Sequence, residues 1–169
     1  MAEVIKVYRE TLPALRLIGK RYTDEDRSPE GGFGGKWGEW FQKGYFDSLQ
    51  NMKSLPEVEG AYLGFMRCNG EFEYWIGMFF PEDTPVPEGY QYLDIPQGDV
   101  GTCWIHGYED TGELYGQEAH NVCISKIEEK GWHVSENPWF LERYNCPRFT
   151  APDEQGKVIL DYCILLKDE

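Results

Sequence analysis

The sequence predicts an α+β domain in which two β-α-β-β units pair as a pseudo-twofold antiparallel sheet, with two helices on one face. Three observations carry this. Residues 4–80 and 90–167 each read strand, strand, helix, strand, strand, around a proline-rich linker at 81–89. Both helical segments bear an apolar stripe at four-residue intervals: Trp37, Phe41, Tyr45 and Leu49 in one, Tyr115, Ala119, Cys123 and Ile127 in the other. Asn69-Gly70 between two apolar runs marks a tight hairpin. With 169 residues, 41% of them hydrophobic and 27% charged, the chain suits a single domain over 1–169 with one sizeable core.

Residues 4–9 form the first expected strand, and residues 12–22, interrupted early by Pro13, the second. The segment 24–32 carries Ser28-Pro29 and Gly31-Gly32 and reads as an acidic loop. A helix is expected from Gly34 to about Met52, ahead of Pro56, with Trp40 on the same face as the stripe. Strands over 61–68 and 72–80 follow, then the linker, then strands over 90–95 and 99–107 separated by Pro96-Gln97-Gly98. Thr111 is placed to cap a helix over about 112–130, and Gly131 to end it. Strands over 139–145 and 157–167 complete the chain.

The stretch Asn137–Asn145, Asn-Pro-Trp-Phe-Leu-Glu-Arg-Tyr-Asn, bears most directly on chemistry. As a strand it places Phe140, Glu142 and Tyr144 on one face and Trp139, Leu141 and Arg143 on the other. Glu142 is then either a solvated carboxylate on an edge strand or the floor of an aromatic-walled pocket. In a pocket, partial desolvation would raise its pKa and strengthen its attraction for a cation. An aromatic content of 15%, with six Trp and eleven Tyr, is compatible with such walls and also with a Trp-rich core.

Several classes are disfavoured. Thirty acids against sixteen bases, a net charge of −14, argue against nucleic acid as a partner. No apolar run approaches membrane-spanning length, the N-terminus lacks a signal-peptide pattern, and nothing before Val4 could form a helix-turn-helix. A cytosolic protein without a membrane partner is expected. Cys68, Cys103, Cys123, Cys146 and Cys163 form no Cys-x-x-Cys pair and read as reduced thiols. His106, His120 and His133 lack ligand spacing, so no metal is expected. Gly31-Gly32-Phe33-Gly34-Gly35 lacks the Lys-Ser/Thr of a phosphate loop, no Gly-x-Ser-x-Gly elbow occurs, and no cofactor is expected.

Four stretches together resemble the GyrI-like small-molecule-binding family, the effector domain shared with some AraC-type and MerR-type regulators. They are Leu17-Ile18-Gly19-Lys20-Arg21-Tyr22 leading into Trp37 to Trp40; Glu73-Tyr74-Trp75-Ile76-Gly77; Ile95-Pro96-Gln97-Gly98 with the strand to Gly107; and Phe140-Leu141-Glu142-Arg143-Tyr144 with the closing strand. The resemblance implies a central aromatic pocket with a functional Glu, matched here by Glu142 of Glu142-Arg143-Tyr144. It makes Glu142 and Tyr144 the candidate catalytic pair. Phe140, Trp75, Trp104, His106, Trp37, Trp40, Asp161 and Cys163 are the candidate ligand-binding residues, with Trp75, Trp104, His106, Asp161 and Cys163 assigned by strand parity to the face of Glu142. The chain departs from the family at Ile105, where relatives often place His, and at Cys163, where many place an aromatic ring.

The expected function is binding of hydrophobic or aromatic, also cationic, small molecules. Stand-alone relatives are linked to hydrolysis of cyclopropane-bearing genotoxins, which would use Glu142 as general base without a cofactor. A third reading, an acidic inhibitor of a basic protein partner, rests on charge alone.

Overall fold

The computed structural model describes residues 2–27, 29, 33–50, 62–69, 71–109, 114, 117–135, 138–144 and 149–167. The chain divides into two compact units, Ala14–Pro96 and Met1–Pro13 with Gln97–Glu169. Each is a four-stranded antiparallel sheet carrying helix, so the α+β class and the duplicated order of elements are as expected.

In the unit 14–96 the strands are β2 (Leu15–Thr23), β3 (Tyr62–Asn69), β4 (Glu71–Pro81) and β5 (Gln91–Ile95), in the spatial order β3-β4-β2-β5. In the other unit β1 (Glu3–Leu12), β6 (Gly98–Gly107), β7 (Phe140–Tyr144) and β8 (Val158–Leu165) lie in the order β1-β6-β8-β7. The first strand of each sequence repeat pairs outside that repeat: β1 precedes β2 but pairs with β6, and β5 precedes β6 but pairs with β2. The Asn69–Glu71 pair sits where the hairpin was expected, although Gly70 itself lies outside the described residues.

The first helical segment is two helices, α1 (Gly34–Gln42) and α2 (Tyr45–Gln50), not one. Gly44 adopts φ +70 between them, a left-handed conformation that glycine takes without steric cost and that ends α1. The turn rotates the stripe, so Phe41 is 59% exposed while Trp40, Phe46 and Leu49 are buried. Trp37 Nε1 donates to Tyr74 Oη at 2.9 Å and Trp40 Nε1 to Tyr22 Oη at 2.9 Å, fixing α1 to the sheet through two indole–phenol bonds.

In the other unit α3 (Gln117–Glu129) lays Ala119, Cys123 and Ile127 on Cys103, Ile105, Leu160, Tyr162 and Ile164. Gly131, at φ +84, ends it as expected. Gly101 admits the helix: a Cβ there would stand 2.9 Å from Ile127 Cδ1. The expected cap Thr111, the stripe residue Tyr115, the loop glycines Gly31 and Gly32, the helix end at Met52, Asn137, Asn145 and Cys146 lie outside the described residues.

Candidate functional site: a buried carboxylate on β7

The register of the antiparallel ladders assigns the faces. Glu142 stands opposite Tyr162 and Phe140 opposite Ile164, and Tyr162 in turn stands opposite Cys103. Directly opposed residues share a face, so Phe140, Glu142 and Tyr144 lie on the side that α3 covers. Phe140 and Tyr144 pack against that core, and Phe149 meets Tyr144 edge-on with ring centroids 4.7 Å apart.

The same register moves four candidates away from Glu142. Arg143 opposes Asp161, Asp161 opposes Trp104, Thr102 opposes Cys163, and His106 follows Trp104 by two residues. Trp104, His106, Asp161 and Cys163 therefore occupy the other face. Side chains alternate within each strand; which parities coincide depends on the offset between strands, and one residue of offset moves a whole strand to the opposite side. Glu142 is thus on the helix-bearing side and not on the helix-free one.

On the far face Arg143 donates to Glu10 Oε1 at 2.7 Å and, through Nη2 and Nε, to Asp161 Oδ2 at 3.0 and 3.2 Å. Trp104 Nε1 lies 3.4 Å from Tyr8 Oη beneath the Lys6 ammonium, and Thr102 donates to Cys163 Sγ. Burial pushes the Cys163 thiol up to about 12. His106 Nε2 meets Asp153 Oδ2 at 2.7 Å, in the segment between β7 and β8. These contacts satisfy one another and brace β1, β6, β8 and β7.

Trp37, Trp40 and Trp75 belong to the other unit. Trp37 and Trp40 lock α1 as described. Trp75 opposes Phe65 and Arg21, on the side away from α1, and donates to Glu73 Oε1 at 2.8 Å. A recess of about 280 Å³ in that unit, lined by Ala14, Leu15, Glu82, Asp83, Asp94, Ile95 and Pro96, contains none of the candidate residues.

Glu142 is 9% exposed. Its described partner is Tyr144, whose hydroxyl donates to Oε2 at 2.8 Å, and among the described residues no Lys or Arg forms an ion pair with it. Burial lifts its pKa from 4.5 to about 7, against the smaller lowering effect of the Tyr144 hydrogen bond. Two residues absent from the expected set share this side. His120 of α3 sets Nδ1 2.6 Å from Tyr162 Oη and its ring 4.5 Å from that of Phe140. Burial holds the Tyr162 phenol far above the ordinary range, helped by the Glu142 charge, and holds the His120 imidazole below its usual value. The sequence signal for His120 is its position one residue after Ala119 of the stripe; that for Tyr162 lies in the repeat, where Tyr162-Cys163-Ile164-Leu165-Leu166 aligns with Tyr74-Trp75-Ile76-Gly77-Met78.

No family model and no curated protein matches the chain. Solved structures do. A protein from Staphylococcus aureus MU50 superimposes with a TM-score of 0.69 at 18% identity, covering 96% of this chain and 99% of that one. SAV2435 bound to tetraphenylphosphonium superimposes with a TM-score of 0.72 at 17% identity, over 96% and 94%. The EcmrR C-terminal domain gives 0.60 at 11% identity, over 97% and 98%. The chain has the GyrI-like fold. The same GyrI-like fold accounts for 58% of the EcmrR chain in its DNA complex, where the TM-score is 0.61. At these identities the likeness establishes architecture, and the chemistry has to come from the residues of this chain. Among the described residues no helix is long and apolar enough to cross a membrane.

Proposed function

We propose that this GyrI-like chain binds hydrophobic or aromatic cations, with Glu142 as the charge-recognising group. The observation that carries the reading is a buried carboxylate, on a face with Phe140, Tyr144 and Tyr162, that has no cationic partner among the described residues. A buried charge without a counter-ion is costly, so the apo carboxylate holds its proton to near neutrality. A cation that also buries its own apolar surface supplies the missing charge, and the surrounding rings add cation–π attraction on the order of 1 kcal/mol each. Neighbouring folds support the choice of ligand, since SAV2435 is bound to tetraphenylphosphonium.

Tryptophan fluorescence titrated with tetraphenylphosphonium, and with triphenylphosphine oxide as a neutral comparator, tests this. Wild type should prefer the cation at pH 8, and Glu142→Gln should lose at least about tenfold in cation affinity, equivalent to about 1.4 kcal/mol, while its affinity for the oxide holds. Equal affinity of both proteins for the cation would sink the reading. Affinity should also climb as pH rises through about 7, because the ligand requires the ionised carboxylate.

A second reading has one observation in its favour. A carboxylate with a pKa near 7, held by a phenol at 2.8 Å, suits a general base toward water on a strained ring. It draws no support from the neighbouring structures, and neither does the acidic-inhibitor reading. Incubation with a cyclopropane-bearing electrophile, followed by mass spectrometry for a product one water heavier, tests it: Glu142→Gln should abolish that product.

A further inference from the structure

Both units tie their helix to the sheet through a tyrosine hydroxyl. In one, Trp37 Nε1 bonds Tyr74 Oη; in the other, His120 Nδ1 bonds Tyr162 Oη. Tyr74 stands opposite Met66 on β3 as Tyr162 stands opposite Glu142 on β7. The two bonds occupy corresponding places, but an indole N–H can only donate, whereas an imidazole nitrogen either accepts or donates. Glu142 thus stands where the other unit has Met66, and the Tyr162 hydroxyl meets an imidazole where that of Tyr74 meets an indole. An ordinary helix–sheet lock needs neither the carboxylate nor the imidazole.

His120 is half-buried, and its ring is bounded by Phe140 at 4.5 Å and Tyr162 at 5.7 Å between centroids. Phe140 and Tyr162 are the neighbours of Glu142, along β7 and across the ladder. The titratable group in contact with this ring among the described residues is Tyr162 from β8; Glu142 of β7 stands across the ladder from Tyr162 and holds the Tyr144 hydroxyl. Cys103 from β6 donates its thiol to the backbone carbonyl of Cys123 in α3, and both cysteines are free. Neither Lys nor Arg contributes there among these residues. A neutral ring with its hydrogen on Nε2 accepts from the Tyr162 hydroxyl at Nδ1. On protonation the bond reverses, Nδ1–H donating to Tyr162 Oη as Trp37 donates to Tyr74, so the ring gains a charge without changing its geometry.

We propose that His120 is a specificity-determining residue of the Glu142 site: a neutral ring bordering the ligand beside Phe140 and Tyr162 that turns cations away once it is protonated. The inference rests on the proposed binding role of Glu142. It makes release of a cation depend on two protons, one on each group, so that the net charge of the site runs from −1 through 0 to +1 as pH falls. Burial, which holds the imidazole below its ordinary value, keeps the second step under the first.

The test measures tetraphenylphosphonium affinity from pH 8.5 to 5.5 for wild type, His120→Gln and His120→Phe, with far-UV circular dichroism confirming the fold at each pH. One proton per site costs about tenfold in affinity per pH unit, so the wild-type loss should steepen beyond tenfold toward the acid end while both variants stay at about tenfold per unit. In the wild type, the His120 ring titration followed by NMR should also move to lower pH when the cation is bound. Variants that retain the steeper slope, or a ring titration unmoved by ligand, overturn the role of His120 and leave that of Glu142 intact. No binding by wild type at any pH overturns both.

Discussion

At the scale of single residues, Glu142 links stability to pH with a sign opposite to that of most carboxylates. Its folded pKa of about 7 lies above the ordinary 4.5, so between those values the folded chain binds the extra proton and stability falls as pH rises. The gap corresponds to about 3 kcal/mol at full ionisation. Glu142→Gln should therefore be more stable than wild type at pH 8, by up to that amount, and close to it at pH 4.5, in denaturant titrations at the two pH values. A pH-independent difference would show that the carboxylate does not titrate in this range. Tyr144→Phe removes the hydrogen bond that favours the ionised form, so the midpoint of cation binding against pH should move upward.

At the scale of elements, α3 and the sheet beneath it have one tight place. A side chain at Gly101 runs into Ile127, two turns of helix beyond His120. Overpacking of this kind costs about 1–3 kcal/mol, so Gly101→Val should lower the thermal midpoint and, by lifting α3, also weaken tetraphenylphosphonium binding. In the other unit, Trp40→Phe removes the described partner of the Tyr22 hydroxyl. The cost of leaving a buried polar group unmatched is about 1–3 kcal/mol, and the loss should appear in stability with the pH dependence of ligand binding unchanged, because Glu142 and His120 lie in the unit built on β6, β7 and β8.

The whole molecule is organised by exchange of its edge strands. β1 reaches β6 across about ninety residues of chain, pairing Arg9 with Gly101 and closing the Arg9–Asp99 bond at 2.7 Å, and its Glu10 holds Arg143 of β7 on the face opposite Glu142. Deleting residues 2–12 should consequently raise hydrogen exchange in β6, β7 and β8, which are remote in sequence, more than in β2 and β4. It should weaken cation binding as well. The net charge of −14 acts on the same scale: mutual repulsion of surface acids is screened by salt over about 8–10 Å. The thermal midpoint should rise between low salt and 0.3 M sodium chloride.

Local chemistry wrote much of this into the sequence. Strand alternation put Phe140, Glu142 and Tyr144 on one face, Asn69-Gly70 marked the hairpin, Gly131 ended α3, and the repeat ordered all the elements. Each of these is set by neighbours a few residues apart, through side-chain period, turn conformation or capping. What lay beyond reach was set by register between distant strands. Trp104, His106, Asp161 and Cys163 alternate as expected, yet only the offset of β6 and β8 against β7 decides that they face away from Glu142. The exchange of β1 and β5 is likewise decided by backbone hydrogen bonds between segments far apart in the chain, and the meeting of His120 with Tyr162 across 42 positions by the packing of α3 on the sheet. Local pattern sets which residues travel together on each element, whereas which elements face one another follows from non-local pairing that no local pattern encodes.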